Sequence, residues 1–361
     1  MVEQLASRHE IHVFAQEIDH QWPGVTYHHV LAPLRKPRWI NQLWFACATW
    51  WATRRGFDVV HSHENTWHGD VQTVHVLPIK YNLFYGRTGL RRMLRWVKVV
   101  TSPRLLTYLL LEGLRYARRP GRQVTVTSDS LLNIMSLSYP TSRKMLSVIT
   151  PGINMPQTPV SLQRKSDART QLGLPNAGRF LLFVANDYRK KGLYTLLEAM
   201  VQFPADVFLA VAGNASHIPL FREKAVALKL VERVFFLGSL KDVGIAYEAA
   251  DCLVHPTLED TFAMVVLEAM AHGLPVVVSG PKYCGISGLL HHGINALILD
   301  DPKDVRGLAH ALLKVLDHPA FAGQLAQEAK HFTDHYQWNN LAAKQEALYF
   351  LVADGKAANA W

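Results

Sequence analysis

The stretch His255–Gly280, HPTLEDTFAMVVLEAMAHGLPVVVSG, reads as strand, loop, helix and strand in one pass. A strand ends at His255-Pro256, the loop carries Glu259, Asp260 and Thr261, and the spacing predicts a helix from about Phe262 to His272. Asp260 or Thr261 stands where a side-chain N-cap belongs, and Gly273 where a helix-ending glycine belongs. The amides of Phe262, Ala263 and Met264 are then donors at a helix N-terminus, a setting that suits phosphate or sugar oxygens. Glu268 follows Asp260 by eight residues, about two helical turns, so the two acids can share one rim. An ordinary amphipathic helix with a capping Asp and a solvated Glu has the same pattern.

Working outward, the second half alternates strand and helix: RFLLFVAN then KKGLYTLLEAM, DVFLAVAG then PLFREKAVALKL, RVFFLGS then DVGIAYEAA. Such repeats predict an α/β fold whose parallel sheet is covered on both faces and binds ligands at the carboxyl ends of its strands. In Leu181–Ala199 the bases Arg189, Lys190 and Lys191 sit at the head of a helix. Positive charge opposes the dipole there, so these bases call for an anion such as a diphosphate. A solvated basic turn is the plainer alternative. The first half offers strands at Phe57–Glu64, Val71–Val76, Gln123–Ser130 and Ser147–Ile153, with Ser128 or Asp129 capping a helix Leu131–Leu137. The chain opens on the last turns of a helix and a strand Ile11–Ala15, without the strand and tight loop that usually start a ligand-binding α/β domain. Pro151, Pro156 and Pro159 mark Pro151–Lys165 as a linker, and Ala320–Ala353 reads as helical.

The chain has 361 residues, of which 49% are hydrophobic and 19% charged, which excludes a disordered protein. Cys47, Cys252 and Cys284 lie far apart, against a disulfide framework or thiolate zinc site. Residues 1–150 hold 19 Lys and Arg against 9 Asp and Glu, a charge of +10, while the remainder, with 19 against 20, carries −1. The stretch Gly86–Gln123 alone has ten bases and one acid, Glu112, with Leu90, Met93, Leu94, Trp96 and Val97 between them. A basic amphipathic segment with Trp reads as a seat on an anionic membrane. No nucleic-acid-binding pattern accompanies the charge, so nucleic acid is not expected as a partner. Neither Trp39–Thr53, interrupted by Asn41 and Gln42, nor Leu105–Leu111 reaches the length of a spanning helix. Glu3, Arg8 and His9 stand where the apolar stretch of a signal peptide would begin. The expectation is a cytoplasmic protein, peripheral at the inner face of the membrane.

The run DTFAMVVLEAMAHGLPVV (Asp260–Val277) resembles the E-x7-E signature of the retaining glycosyltransferases of family 4, usually E-G-F-G-x-V-x-L-E-A-M-A-x-G-x-P-V-V. ANDYRKKG resembles that family's G-R … K-G phosphate grip, with Asn186 in place of the Arg and Lys191-Gly192 at its end. RVFFLGSL (Arg233–Leu240) resembles the segment whose backbone reads the base, and QTVHV resembles the T-x-H motif that holds a His beside the transferred sugar. The likeness is firm over Ser147–Ala353, looser over Phe57–Ser130, and strongest toward bacterial enzymes of the lipopolysaccharide core.

The resemblance implies a GT-B fold of two facing Rossmann-like domains. An acceptor-binding domain, 1–150, lacks its first strand; a nucleotide-sugar-binding domain spans 151–335; a C-terminal helix, 336–361, crosses back. It implies that Glu268 accepts from the ribose hydroxyls and that Asp260 and Thr261 contact the donor sugar. The amides of Phe262, Ala263 and Met264 hold sugar or phosphate oxygens, Asn186, Lys190 and Lys191 hold the diphosphate, and Gly238 lies at the base. His75, Asp260, Lys190 and Lys191 are the expected catalytic residues. No metal or cofactor is expected beyond the nucleotide-sugar co-substrate, and His61 and His63 are read as structural or acceptor-lining. Two departures stand out: Asp260 is one methylene shorter than the usual Glu, and Ala263 replaces a Gly. The expected reaction is retaining transfer of a sugar to a membrane-associated glycan, such as the lipopolysaccharide core or a similar cell-envelope glycolipid. With no carboxylate nucleophile in evidence, front-face attack is expected, the leaving phosphate taking the acceptor proton. A nucleotide-sugar epimerase or hydrolase, or a silent donor-binding membrane partner, are the alternatives.

Overall fold

The computed structural model describes residues 1–358 apart from Arg35, Gln157 and Pro159. Pro159 of the expected linker therefore lies outside the described residues. Two units emerge, one of residues 1–152 with the C-terminal helix, the other Ile153–Gln337.

The first unit starts with α1 (Val2–Leu5), β1 (Ile11–Ala15), β2 (Val25–His29), α2 (Arg38–Thr53), β3 (His61–Ser62) and β4 (Val71–Val74). It continues through α3 (Ile79–Phe84), α4 (Gly89–Val100), α5 (Pro103–Arg115), β5 (Gln123–Val126), α6 (Asp129–Ser138) and β6 (Leu146–Val148). β1 and β2 pair as a sheet of their own, while β3-β4-β5-β6 form a second, all-parallel sheet. The strand read over Phe57–Glu64 shrinks to His61–Ser62 because its backbone is bonded elsewhere. Val60 N–H donates to the Asp70 carboxylate at 2.8 Å, and its carbonyl accepts from Asp70 and Val71. The Ser128 cap on α6 is present, its hydroxyl accepting from Leu131 N at 3.2 Å. Arg115, on α5, is buried and ties β3 to β4 by donating to Gln72, to the Thr73 carbonyl and to the Ser62 carbonyl.

The second unit runs α7 (Leu162–Gln171), β7 (Arg179–Ala185), α8 (Leu193–Met200), β8 (Val207–Gly213), α9 (Ile218–Ala227), β9 (Val234–Gly238) and α10 (Gly244–Ala249). β10 (Cys252–His255), α11 (Met264–Ala271), β11 (Val276–Ser279), β12 (Leu297–Leu299), α12 (Val305–Asp317) and α13 (Pro319–Thr333) complete it. The linker read to Lys165 ends earlier, since Ser161 caps α7 by accepting from Arg164 N at 3.2 Å. The parallel sheet has the order β12-β11-β10-β7-β8-β9. Its strands are buried on both faces: Phe180, Leu182 and Val184 enter one core, Leu181, Phe183 and Ala185 the other. The order of connection reverses between β7 and β10, and an open α/β sheet leaves a crevice outside the carboxyl ends of such a pair.

The last helix, α14 (Trp338–Ala358), packs in the first unit. Its Tyr349 hydroxyl meets His61 Nδ1 at 2.6 Å, Glu346 pairs with Arg8 and His9, and Lys356 reaches Asp70 at 3.0 Å.

Candidate active site

The loops after β7 and β10 flank the switch point, and they are laced together. Leu258 N–H donates to the Lys190 carbonyl at 2.8 Å. Gly192, at φ +84°, lets the first loop pass the second, because a Cβ there would stand 1.9 Å from the Pro256 carbonyl oxygen. The side chains follow suit. Lys191 Nζ lies 2.6 Å from Asp260 Oδ2 and 2.9 Å from the Glu259 carbonyl, and Lys190 Nζ lies 3.0 Å from Glu259 Oε1. Of the expected residues, the structure therefore brings together Lys190, Lys191 and Asp260.

His255, fully buried at the end of β10, places Nε2 3.1 Å from the same Asp260 oxygen. Burial lowers the His255 pKa despite that carboxylate, so the ring is neutral and donates from Nε2. Burial opposes ionisation of Asp260, but the His255 hydrogen bond and the Lys191 charge outweigh it and hold the carboxyl far below its usual range. The result is a fixed anion with one cation and one neutral donor behind it.

Helix α11 begins later than its sequence suggests. Neither Asp260 nor Thr261 is its N-cap; the cap position is Ala263, at φ +74° and ψ +73°, in the left-handed region. Asp260 Oδ1 instead accepts from Phe262 N at 3.3 Å, which turns the chain before the helix starts. The first-turn amides are consequently those of Met264 and Val265 rather than of Phe262. Glu268, inside α11, does not join the Asp260 cluster. Its Oε2 accepts from the buried Tyr247 hydroxyl at 2.6 Å, and both line a cleft of about 360 Å³ with Asn154, Asp242 and His272. Tyr247, like His255, is a residue the sequence reading missed.

Asn186 is exposed just past β7, and Gly238 closes β9 at φ +70°. His75 stands directly after β4 in the first unit, with Nε2 2.9 Å from His63 Nδ1. His61 contacts Thr73 at 2.5 Å, and its ring lies tilted against that of His63, with the centroids 4.4 Å apart. Loss of bulk hydration, then the neighbouring His75 and Arg115, lower the His63 pKa to about 4, although part of the ring faces solvent. Among the described residues, no group of three or more His, Cys, Asp or Glu is arranged to hold a metal ion.

Residues 164–332 match the family described as glycosyl transferases group 1. The chain carries a group 1 glycosyltransferase domain. An uncharacterized glycosyltransferase of Methanocaldococcus jannaschii is 28% identical to it over 239 residues, covering 64% of this chain and 60% of that protein. The chain thus spans under two thirds of that relative's length. The lipopolysaccharide glucosyltransferase WaaG of Escherichia coli is 24% identical over 69% of this chain and 67% of its own. The crystal structure of WaaG superposes with a TM-score of 0.78 at 20% identity, covering 96% of this chain and 92% of WaaG. Anabaena HepE, solved with UDP and glucose, superposes with a TM-score of 0.66 at 19% identity over 86% and 76% of the two chains. The glycosyltransferase domain lies within a GT-B fold, as the sequence led one to expect.

Proposed function

We propose that the chain is a retaining glycosyltransferase that moves a sugar from a nucleotide-sugar to a membrane-associated glycan acceptor, the lipopolysaccharide core or a similar glycolipid. The observation that carries this reading is the cluster of Lys190, Lys191 and Asp260 at the sheet's switch point, backed by His255. Likeness to WaaG and to HepE, the latter solved with UDP and glucose, supports the acceptor class and the donor class respectively.

In this reading the donor diphosphate takes the lysine ammoniums as partners in place of Glu259 and the Glu259 carbonyl. Asp260 accepts from sugar hydroxyls, with Thr261 alongside. Glu268, pinned by Tyr247, accepts from the ribose hydroxyls with its remaining lone pairs. The amides at the head of α11 face sugar or phosphate oxygens, while Asn186 and Gly238 border the diphosphate and the base. The acceptor hydroxyl attacks the anomeric carbon on the face the diphosphate leaves. The anomeric C–O bond to phosphate breaks, and the acceptor proton passes to the departing phosphate oxygen. Each well-placed lysine donor is worth about 2–4 kcal/mol of transition-state stabilisation in such a setting. His75 orients a hydroxyl of the transferred sugar. The reaction needs no metal or further cofactor on this account.

The first unit supplies the membrane seat. On α4 the stripe Leu90, Met93, Leu94 and Val97 is exposed, and Arg91, Arg92 and Lys98 are exposed beside it. Arg115 and Arg122 do not belong to this surface, since both are buried on backbone carbonyls. No helix among the described residues is long and apolar enough to cross a membrane; in this reading the exposed stripe and the bases beside it seat the chain at the inner face. Product analysis tests the whole reading: nucleotide-sugar incubated with and without a core oligosaccharide should yield a glycosylated product of retained anomeric configuration only with the acceptor. A changed or hydrolysed sugar without acceptor would assign an epimerase or hydrolase instead, and no turnover a silent partner.

A further inference from the structure

Helix α2 inverts the usual arrangement of a surface helix. The face turned inward carries small residues, Ala46 at 0% and Thr49 at 4% exposure, while the outward face carries Trp44 at 48% and Trp51 at 67%. Cys47, one turn from both, is exposed on the same side. No charged residue occurs between Arg38 and Arg54, so the helix offers water no charged face. Basic residues bracket it: Lys36 before it and Arg38 at its first position, Arg54 and Arg55 after, with no acid anywhere between Asp19 and Asp58. The Arg54 guanidinium lies over the Trp50 and Trp51 rings at 5.9 and 5.4 Å. α2 packs against α5, which in turn packs against α4.

We propose that α2 is a second membrane-seating helix, lying in the headgroup layer of an anionic bilayer with Trp44 and Trp51 inserted and the flanking bases on lipid phosphates. The proposal rests on the membrane reading above and extends it to an element outside the basic stretch. Exposed tryptophans bracketed by arginine and lysine fit the interface, where an amphipathic ring meets both water and hydrocarbon. A second copy of the chain fits poorly, because a two-fold contact over α2 would set its basic ends against each other.

Cys47 makes the test specific. Cys252 and Cys284 are fully buried, so a nitrobenzoxadiazole thiol label on the intact chain attaches at Cys47. Mixed phosphatidylglycerol–phosphatidylcholine vesicles should shift the label's emission to the blue and raise it several-fold. Brominated lipid should quench it, and the Trp44→Ser/Trp51→Ser double variant should lose the change while melting at the same temperature. Co-sedimentation with an unchanged label would overturn the role of α2 and leave the membrane reading standing. Failure to co-sediment would overturn both. A label change without vesicles that grows with protein concentration would assign the face to a second copy.

Discussion

Lys191 and Asp260 meet across the switch point of the second sheet, ammonium to carboxylate at 2.6 Å, and His255 holds the same oxygen at 3.1 Å. One loop follows β7, the other β10, so neither residue is placed by its own segment alone. The pair is partly shielded, with 21% and 15% of the side chains exposed, and it presents a cation and an anion to one small volume. A diphosphate seeks the first and sugar hydroxyls the second, so their substitutions should separate. Lys191→Met should weaken nucleotide-sugar and free nucleoside diphosphate alike, about 10- to 100-fold, as expected for a charged hydrogen bond worth about 1.5–3 kcal/mol. Asp260→Asn should weaken only the nucleotide-sugar. Titration calorimetry with both ligands decides, and equal losses for the two variants would contradict the assignment.

Tyr247 anchors Glu268 through a 2.6 Å hydrogen bond, with the carboxylate otherwise open to the cleft. Tyr247→Phe keeps the packing and removes that one bond. Nucleotide binding should weaken about fivefold, the worth of one net hydrogen bond of about 1 kcal/mol. A loss as large as that of Glu268→Ala would mean that the hydroxyl itself meets the ligand.

Ala263 sits at φ +74°, where a side chain is strained by about 1–2 kcal/mol. Against that relief, glycine forfeits a buried methyl worth about 0.8 kcal/mol and adds backbone freedom worth about 0.5–1 kcal/mol. The terms cancel, so Ala263→Gly should leave the melting temperature nearly unchanged. Ala263→Val adds a β-branched side chain to the same conformation and should lower stability by at least about 2 kcal/mol. Parallel denaturant melts compare the two; a valine variant as stable as wild type would show that the backbone relaxes.

Much of this was legible beforehand, for reasons that differ by element. The strands of the second unit are continuous apolar runs bounded by polar turns, and a buried parallel strand cannot look otherwise. Lys190, Lys191 and Asp260 stood out because they fall at strand ends, where such sheets bind. The helix start did not, since Asp260 carries the chemistry of an N-cap while Ala263 holds the position. His255 gave a faint signal as a polar residue closing an apolar strand. Tyr247 gave none, because AYEAA reads as an ordinary buried turn of helix and its partner is 21 residues away. β3 was overread for a similar reason: Asp70, ten residues on, takes the hydrogen bond of Val60.

Several histidines stay neutral well below their usual range. Burial, then Arg122 and Arg119, lower the His68 pKa to about 4, and His63 lies at about 4 as well. The unfolded chain takes up these protons near pH 6.5, whereas the folded chain refuses them until about pH 4. Stability is therefore full above pH 6.5 and falls as pH drops from there toward 4. Asp260 works lower still: with its pKa depressed in the folded chain, its contribution is full above the ordinary carboxyl value of 3.8 and is lost only as pH falls below it. Melting temperatures across pH 8 to 3 should show a plateau, a decline beginning near 6.5 and a steeper fall below 4. His63→Gln with His68→Gln should flatten the first decline only, and a melting temperature constant down to pH 4 would contradict this account.

The most direct test of the central claim is a thermal-shift scan of the full chain and of Glu268→Ala against UDP-, GDP- and ADP-sugars, with free nucleotides as controls. A specific ligand raises the melting temperature by mass action. One nucleotide-sugar should shift the wild-type chain selectively, and the same ligand should shift Glu268→Ala far less. A folded wild-type chain that no nucleotide-sugar shifts, or a Glu268→Ala variant that shifts equally, would contradict it.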